Sequence, residues 1–179
     1  CFGGNDGSLQ LTANEDLQTI SWGNGESGTI LDGLAAGTYS ATVTNTTGCR
    51  DTVTFELQQP AGPVEAAVAE TSPVSCSGFS DGVLSDSANG PGSSFSYAWS
   101  TGVNSPAISG LPAGDYQLTV TNERGCADTV AYTLQQPEPL QLTATAEGLS
   151  CQGGDKDGRI EVQSVSGGTP PYAFSLDGV

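Results

Sequence analysis

Two stretches decide the fold: Gly33-Leu-Ala-Ala-Gly-Thr-Tyr-Ser-Ala-Thr-Val-Thr-Asn-Thr-Thr-Gly-Cys49 and Gly110-Leu-Pro-Ala-Gly-Asp-Tyr-Gln-Leu-Thr-Val-Thr-Asn-Glu-Arg-Gly-Cys126. They align without a gap at a separation of 77 residues. In each, apolar residues recur at every second position: Tyr39, Ala41 and Val43, then Tyr116, Leu118 and Val120, with Ser, Thr and Gln between them. A period of two places one set of side chains on one face of an extended strand, whereas a helix would need a period of 3.6. The run after each cysteine alternates likewise, through Val53, Phe55 and Leu57 and through Val130, Tyr132 and Leu134. Two half-buried antiparallel strands around a Gly-Cys turn are the reading. Leu34-x-x-Gly37-x-Tyr39 and Leu111-x-x-Gly114-x-Tyr116 read as tyrosine corners, with the hydroxyls of Tyr39 and Tyr116 bonding back to the upstream backbone.

Working outward, the five cysteines reveal a tandem repeat. Cys1, Cys76 and Cys151 are spaced by 75 residues, and Cys49 and Cys126 by 77. The first set opens matching text: Cys-Phe-Gly-Gly-Asn-Asp6-Gly7, Cys-Ser-Gly-Phe-Ser-Asp81-Gly82 and Cys-Gln-Gly-Gly-Asp-Lys-Asp157-Gly158. Leu-Gln-Gln-Pro closes two copies, at Leu57 to Pro60 and Leu134 to Pro137. Proline stops ladder pairing, so these are the natural boundaries. Residues 1–60 form a unit lacking its first strand, 61–137 a complete unit, and 138–179 the N-terminal part of a third, a window on a longer array. Pro63 to Ala69 is read as the first strand of the complete unit. Trp22 and Trp99 sit where a central strand carries a buried aromatic, with Phe174 as the counterpart in the third copy. The fold class expected is all-β, as tandem immunoglobulin-like β-sandwiches of about 76 residues.

Composition limits the function. Among the 179 residues, 4 Lys plus Arg stand against 20 Asp plus Glu, a formal charge of −16, and there is no His. Such a charge repels nucleic acid and anionic lipid. Without His, the commonest general base and metal ligand is absent. No run approaches the ~18 apolar residues of a membrane span, and no signal peptide pattern opens the chain, so position 1 reads as internal. Direct membrane insertion and nucleic-acid partners are therefore not expected, and neither is an enzyme: no unique carboxylate pair stands out among the repeats. A thiolate nucleophile would need a neighbouring base or cation, and the only cations beside the cysteines are Arg50 and Arg124. Cys1, Cys49, Cys76, Cys126 and Cys151 read instead as structural cystines of an oxidising, extracellular setting.

Connectivity stays open between two schemes. Locality pairs Cys1 with Cys49 and Cys76 with Cys126, one staple per unit. Strand direction argues otherwise, because the two cysteines of one sandwich would lie at opposite ends, about 27 Å apart for strands of ~8 residues, far beyond the ~7 Å a disulfide allows. The second scheme bridges Cys1 to Cys126 between repeats and leaves Cys49, Cys76 and Cys151 for partners outside the window. The Asp-Gly pairs act as turns. Asp155-Lys-Asp157-Gly158 also spaces oxygen ligands as a calcium loop begins, which makes Asp155 and Asp157 weak calcium candidates; no other cofactor is expected. Asp86 falls where the other copies place Leu11 and Val162, and is read as a solvated rim position.

The order of these motifs, Cys-x-Gly-x-x-Asp-Gly, Gly-Gly-Thr-Pro-Pro-Tyr-Ala-Phe at 167–174, Gly-Leu-Pro-Ala-Gly-Asp-Tyr, Asn-Glu-Arg-Gly-Cys126 and Gln-Gln-Pro137, resembles the SprB repeat of large Bacteroidetes surface proteins. The first copy departs from it with Asp16-Leu-Gln-Thr-Ile20 in place of the Pro-Pro-Tyr segment, and the second with Gly90-Pro-Gly. The resemblance implies a cell-surface, extracellular adhesin exported by type IX secretion, with gliding motility as the founding role. On this reading the repeats are a disulfide-stapled stalk or surface filament, with neighbouring repeats of the same chain and other filament subunits as partners. The alternative is that the repeats themselves bind polysaccharide or surface glycans, through Trp22 and Trp99 if these stack on sugars. As matched single aromatics on a central strand, the tryptophans read better as core.

Overall fold

The structure, a computed structural model, describes residues 1–12, 17–148 and 158–176. Every regular element among them is a strand: β1 (Gly7–Gln10), β2 (Leu17–Trp22), β3 (Ile30–Leu34), β4 (Gly37–Asn45), β5 (Arg50–Leu57), β6 (Val68–Ser72), β7 (Gly82–Asp86), β8 (Phe95–Trp99), β9 (Ala107–Leu111), β10 (Gly114–Asn122), β11 (Ala127–Leu134), β12 (Gln141–Glu147) and β13 (Arg159–Ser166). The chain is all-β. It divides into two compact units: the first takes Cys1–Glu65, Asn89–Phe95 and Thr121–Asp128, the second the rest of the described residues.

In the first unit β1 pairs antiparallel with β3, and β2, β4 and β5 make a second antiparallel sheet. The alternation around Tyr39 sets the register: Trp22 lies opposite Ala41, which lies opposite Val53, while Tyr39 faces Phe55. Trp22, Leu31, Leu34 and Ala41 are buried, with Leu9, Leu11, Ile20, Phe55 and Leu57 packed on them. These residues come from both sheets, so the two share one core as a sandwich does. Trp22 and Phe55 stack tilted, ring centres 6.1 Å apart. Gly7 shows how closely the layers meet: a Cβ there would run into the Leu57 side chain of the other sheet.

The second unit repeats the plan. β6, β7 and β9 form one sheet, and β8, β10 and β11 another. Val74, Leu84, Trp99, Ile108, Leu111, Tyr116, Leu118, Val120 and Leu134 are buried. Gly82 takes the place of Gly7; a Cβ on it would lie 2.6 Å from Leu134 Cδ2. Cross-strand threonine pairs recur too, Thr42 with Thr52 at 3.0 Å in the first unit and Thr119 with Thr129 at 2.9 Å in the second. The same unit holds the two-stranded antiparallel sheet β12–β13, with Ala144 opposite Val162 and Ala146 opposite Ile160. The peptide bond between Pro170 and Pro171 is cis.

Two expectations need correction. The first strand of the complete repeat does not occupy 63–69 but begins at Val68. Val64 and Glu65 belong instead to the first unit, where Val64 is buried and Glu65 exchanges two backbone hydrogen bonds with Asn89. Phe174 does not behave as Trp22 and Trp99 do: it lies outside any strand and is 61% exposed. The two tryptophans are covered by a facing sheet, and among the described residues no second layer covers β12–β13. Asp86, at the end of β7, is half-buried; its carboxylate accepts from the Ala88 amide at 2.8 Å and from the Tyr97 hydroxyl. That stops the strand and holds the carboxylate at the rim.

Candidate functional site

The aromatic candidates are structural. Trp22 Nε1 donates to the Gly28 carbonyl and Trp99 Nε1 to that of Ser105, each at 2.9 Å. With rings buried and the single polar atom satisfied, neither offers a face to a sugar. Tyr39 donates to the Ala35 carbonyl and Tyr116 to that of Pro112, each at 2.8 Å, the back-bond of a tyrosine corner. Burial raises the Tyr116 phenol above its usual range.

The feature that links distant sequence is the cysteine joint. Cys1 and Cys126 form a disulfide across a sequence separation of 125 residues, their Cα atoms 5.4 Å apart. Cys126 closes the β10–β11 turn, and its position is held by Asn122, which is 5% exposed. Asn122 Oδ1 accepts from the amides of Arg124 and Cys126, both at 3.0 Å, while its Nδ2 donates to the Pro91 carbonyl at 2.8 Å. Gly125, at φ 79°, supplies the left-handed residue the turn requires. Next to it Glu123 accepts from the Ser93 and Ser94 amides at 3.1 to 3.3 Å. Bonds from its own amide and from those two hold its carboxyl below the usual range, with Arg124 adding a smaller effect. On the other side, the Gly4 amide donates to the Cys1 carbonyl at 3.0 Å, and the Gly3 amide donates to Gln59 Oε1 at 3.0 Å.

Cys49 and Cys76 are free and exposed, yet each stands in the backbone setting of a bonded cysteine. At Cys49, Asn45 Oδ1 accepts from the amides of Thr47 and Cys49 at 3.0 and 2.9 Å, and Gly48 has φ 86°. At Cys76, the Phe79 amide donates to the Cys76 carbonyl at 3.1 Å, and the Gly78 amide to Gln136 Oε1 at 2.7 Å. Asp81 ties the approach to this turn, accepting from the Ser75 amide at 3.0 Å and from its hydroxyl, and those two bonds lower its pKa. The Asp-Gly pair of the second copy is thus a loop clasp. Among the described residues no cluster of three or more Cys, Asp or Glu is arranged for a metal. Cys151 and the calcium candidates Asp155 and Asp157 lie outside the described residues.

Asn45, Asn122, Gln59, Gln136 and Glu123 had not been singled out from sequence. The two Asn-x-x-Gly-Cys turns and the glutamines of Leu-Gln-Gln-Pro carried the signal, since polar residues repeated at fixed distance from a cysteine have a turn to hold.

The SprB repeat family model matches residues 143–179. Over that stretch the chain is similar to a SprB repeat. The match takes in β13, most of β12 and the Pro-Pro-Tyr segment. Among solved structures, an amphioxus IgVJ-C2 molecule is similar at 14% identity, with 74% of this chain and 98% of that chain covered and a TM-score of 0.31. Murine CEACAM1b is similar at 14% identity, with 74% and 94% covered and a TM-score of 0.32. No curated protein matches. No helix among the described residues is long and apolar enough to cross a membrane.

Proposed function

We propose that this chain is a structural segment of an extracellular, cell-surface adhesin, a stalk of SprB-type sandwiches whose joints are stapled by disulfides. The observation that carries the reading is the Cys1–Cys126 bond, which ties the opening turn of one sequence repeat to the hairpin turn of the next. A covalent tie between successive repeats resists a pull applied along the chain, which a stalk must withstand and a catalytic domain need not. The SprB match, the acidic surface and the prolines that close each repeat support the same reading. Prolines restrict φ and stiffen a linker. The chain has no catalytic role in this proposal, and its partners are neighbouring repeats and other filament subunits. Export by type IX secretion in a Bacteroidetes cell, with adhesion or gliding motility as the service, follows from the SprB resemblance.

Small-angle scattering on a recombinant protein of three complete repeats tests the reading. Each repeat is expected to add about 35–45 Å, from strands of ~8 residues at ~3.3 Å each plus loops. A maximum dimension that does not grow with repeat number would overturn the stalk. Glycan-array binding by the 61–137 repeat alone would favour repeats that are themselves the adhesive element.

A further inference from the structure

The chain holds two Asn-Gly dipeptides, Asn24-Gly25 and Asn89-Gly90. Glycine has no Cβ to block its own amide nitrogen from approaching the preceding side-chain carbonyl, so this pair is the one in which the backbone can attack asparagine most freely. Both asparagines are exposed, and solvent access does not separate them. Backbone anchorage does. The Asn89 amide donates to the Glu65 carbonyl at 3.1 Å, and the Asn89 carbonyl accepts from the Glu65 amide at 2.8 Å. Gly90, at φ 139°, lies so close to Pro63 and Val64 that a Cβ on it would sit 2.6 Å from the Pro63 carbonyl oxygen and 2.8 Å from Val64 Cα. The peptide joining Asn89 to Gly90 is thus pinned on both sides. Asn24 stands instead in the open turn between β2 and β3. The Gly25 amide donates to the Trp22 carbonyl at 2.9 Å, and a Cβ on Gly25 would meet nothing within 4 Å. Asn24 Oδ1 accepts from the Glu26 amide at 3.1 Å. That donor is placed to stabilise the oxyanion formed when the Asn24 side-chain carbonyl is attacked.

We propose that Asn24 is a site of spontaneous backbone modification whose conversion loosens the turn covering Trp22. The Gly25 amide nitrogen gives its proton to hydroxide and attacks Asn24 Cγ. A new N–C bond closes a five-membered succinimide, the bond from Cγ to the side-chain nitrogen breaks, and that nitrogen takes a proton from water and leaves as ammonia. Water then opens the ring at either carbonyl, giving an aspartyl or an isoaspartyl residue. Both products add a negative charge, and the isoaspartyl form carries the main chain through Cβ, one carbon longer. The added carbon falls inside a loop that Trp22 closes itself, its amide donating to the Glu26 carbonyl at 2.8 Å and its Nε1 to the Gly28 carbonyl at 2.9 Å. Lengthening the loop draws both acceptors out of line with the buried ring. At Asn24 the reaction releases one exposed turn bond, whereas at Asn89 it must break a paired bridge and displace packed backbone. The second repeat has the same turn, with the Gly102 amide donating to the Trp99 carbonyl at 2.8 Å and the Trp99 amide to the Val103 carbonyl at 3.0 Å. There Thr101 takes the place of Asn24 and offers no carbonyl to attack.

The test incubates the full 179-residue chain at mildly alkaline pH, folded and, in parallel, reduced and unfolded in urea. Peptide mapping scores the gain of about 1 Da as amide becomes carboxyl, and isoaspartyl-specific methylation identifies the lengthened product. The unfolded rates normalise the two sites for local sequence. Folding is expected to slow conversion at Asn89 at least tenfold more than at Asn24. In a Trp99→Phe chain the Trp22 emission should move to the red as the isoaspartyl product accumulates. Adding Asn24→Thr, the residue the second repeat carries in this turn, should abolish both the product at 24 and the spectral change. Folding that protects the two sites alike, or Asn24 more than Asn89, would overturn the site. Trp22 emission that does not follow the isoaspartyl product would overturn the loosening.

Discussion

At the residue scale the paired positions make controlled comparisons. Asn122 and Asn45 hold the same turn, but Asn122 is buried and reaches Pro91 as well. Asn122→Ala leaves the buried Cys126 amide without its acceptor, a loss of roughly 1–3 kcal/mol per unsatisfied group. The matched Asn45→Ala, at an exposed turn, should cost at most ~1 kcal/mol. Urea unfolding of the full chain reads both, and equal losses would contradict the joint's dependence on Asn122. Trp99→Ala removes a buried ring and its hydrogen bond, and should cost ~3–5 kcal/mol; a variant that unfolds at an unchanged urea concentration would show that the ring is not core. The Glu123 carboxyl is held below the ordinary glutamate value of 4.5 by amide bonds made to its ionised form. A carboxyl depressed on folding stabilises above its unfolded pKa, and that contribution fades as pH falls through the folded value. Amide resonances of Ser93 and Ser94 should therefore shift with a midpoint below 4.5, a movement absent in Glu123→Gln. A midpoint at or above 4.5 would rule out the amide clasp.

Element by element, legibility followed periodicity. The 33–49 and 110–126 stretches announced β4 and β10, and the runs after each cysteine β5 and β11, because a half-buried strand writes its buried face into every second residue. Trp22, Trp99 and the tyrosine corners were readable for the same reason: each satisfies its polar atom locally, four to six residues away. What was not readable depends on partners distant in sequence. The segment at 63–69 has strand-like composition, yet Val64 and Glu65 are claimed by Asn89 and its surroundings and only Val68 onward pairs with β7. Phe174 matches Trp99 in text, but burial of an aromatic needs a facing layer, and local text does not show whether one is there. Of the joint, locality favours one pairing of the cysteines and strand direction the other; the choice needed the turns in space. Asn122 and Glu123 act on 89–95, a loop about 30 residues away with no sequence periodicity to flag it.

At the scale of the whole chain, the Cys1–Cys126 bond is the term that local packing cannot replace. The two compact units bury modest cores, and domains of this size have only ~5 kcal/mol or so of stability. Closing a loop as long as 125 residues removes denatured-state entropy worth ~4–5 kcal/mol in the chain-entropy model. The staple is thus comparable to the entire stability of one unit. Its loss should be felt first where it anchors, since the first unit gathers both Cys1 and the Thr121–Asp128 turn. Reduction, or Cys126→Ser, is therefore expected to lower the urea midpoint of the first unit well below that of the second, with Trp22 and Trp99 reporting each separately in single-tryptophan variants carrying Phe at the other site. The double change, reduction of a Cys126→Ser chain, should add nothing further. Coincident transitions with and without the bond would show that the repeats hold their joints by packing alone, and the mechanical argument for a stapled stalk would then lose its physical basis.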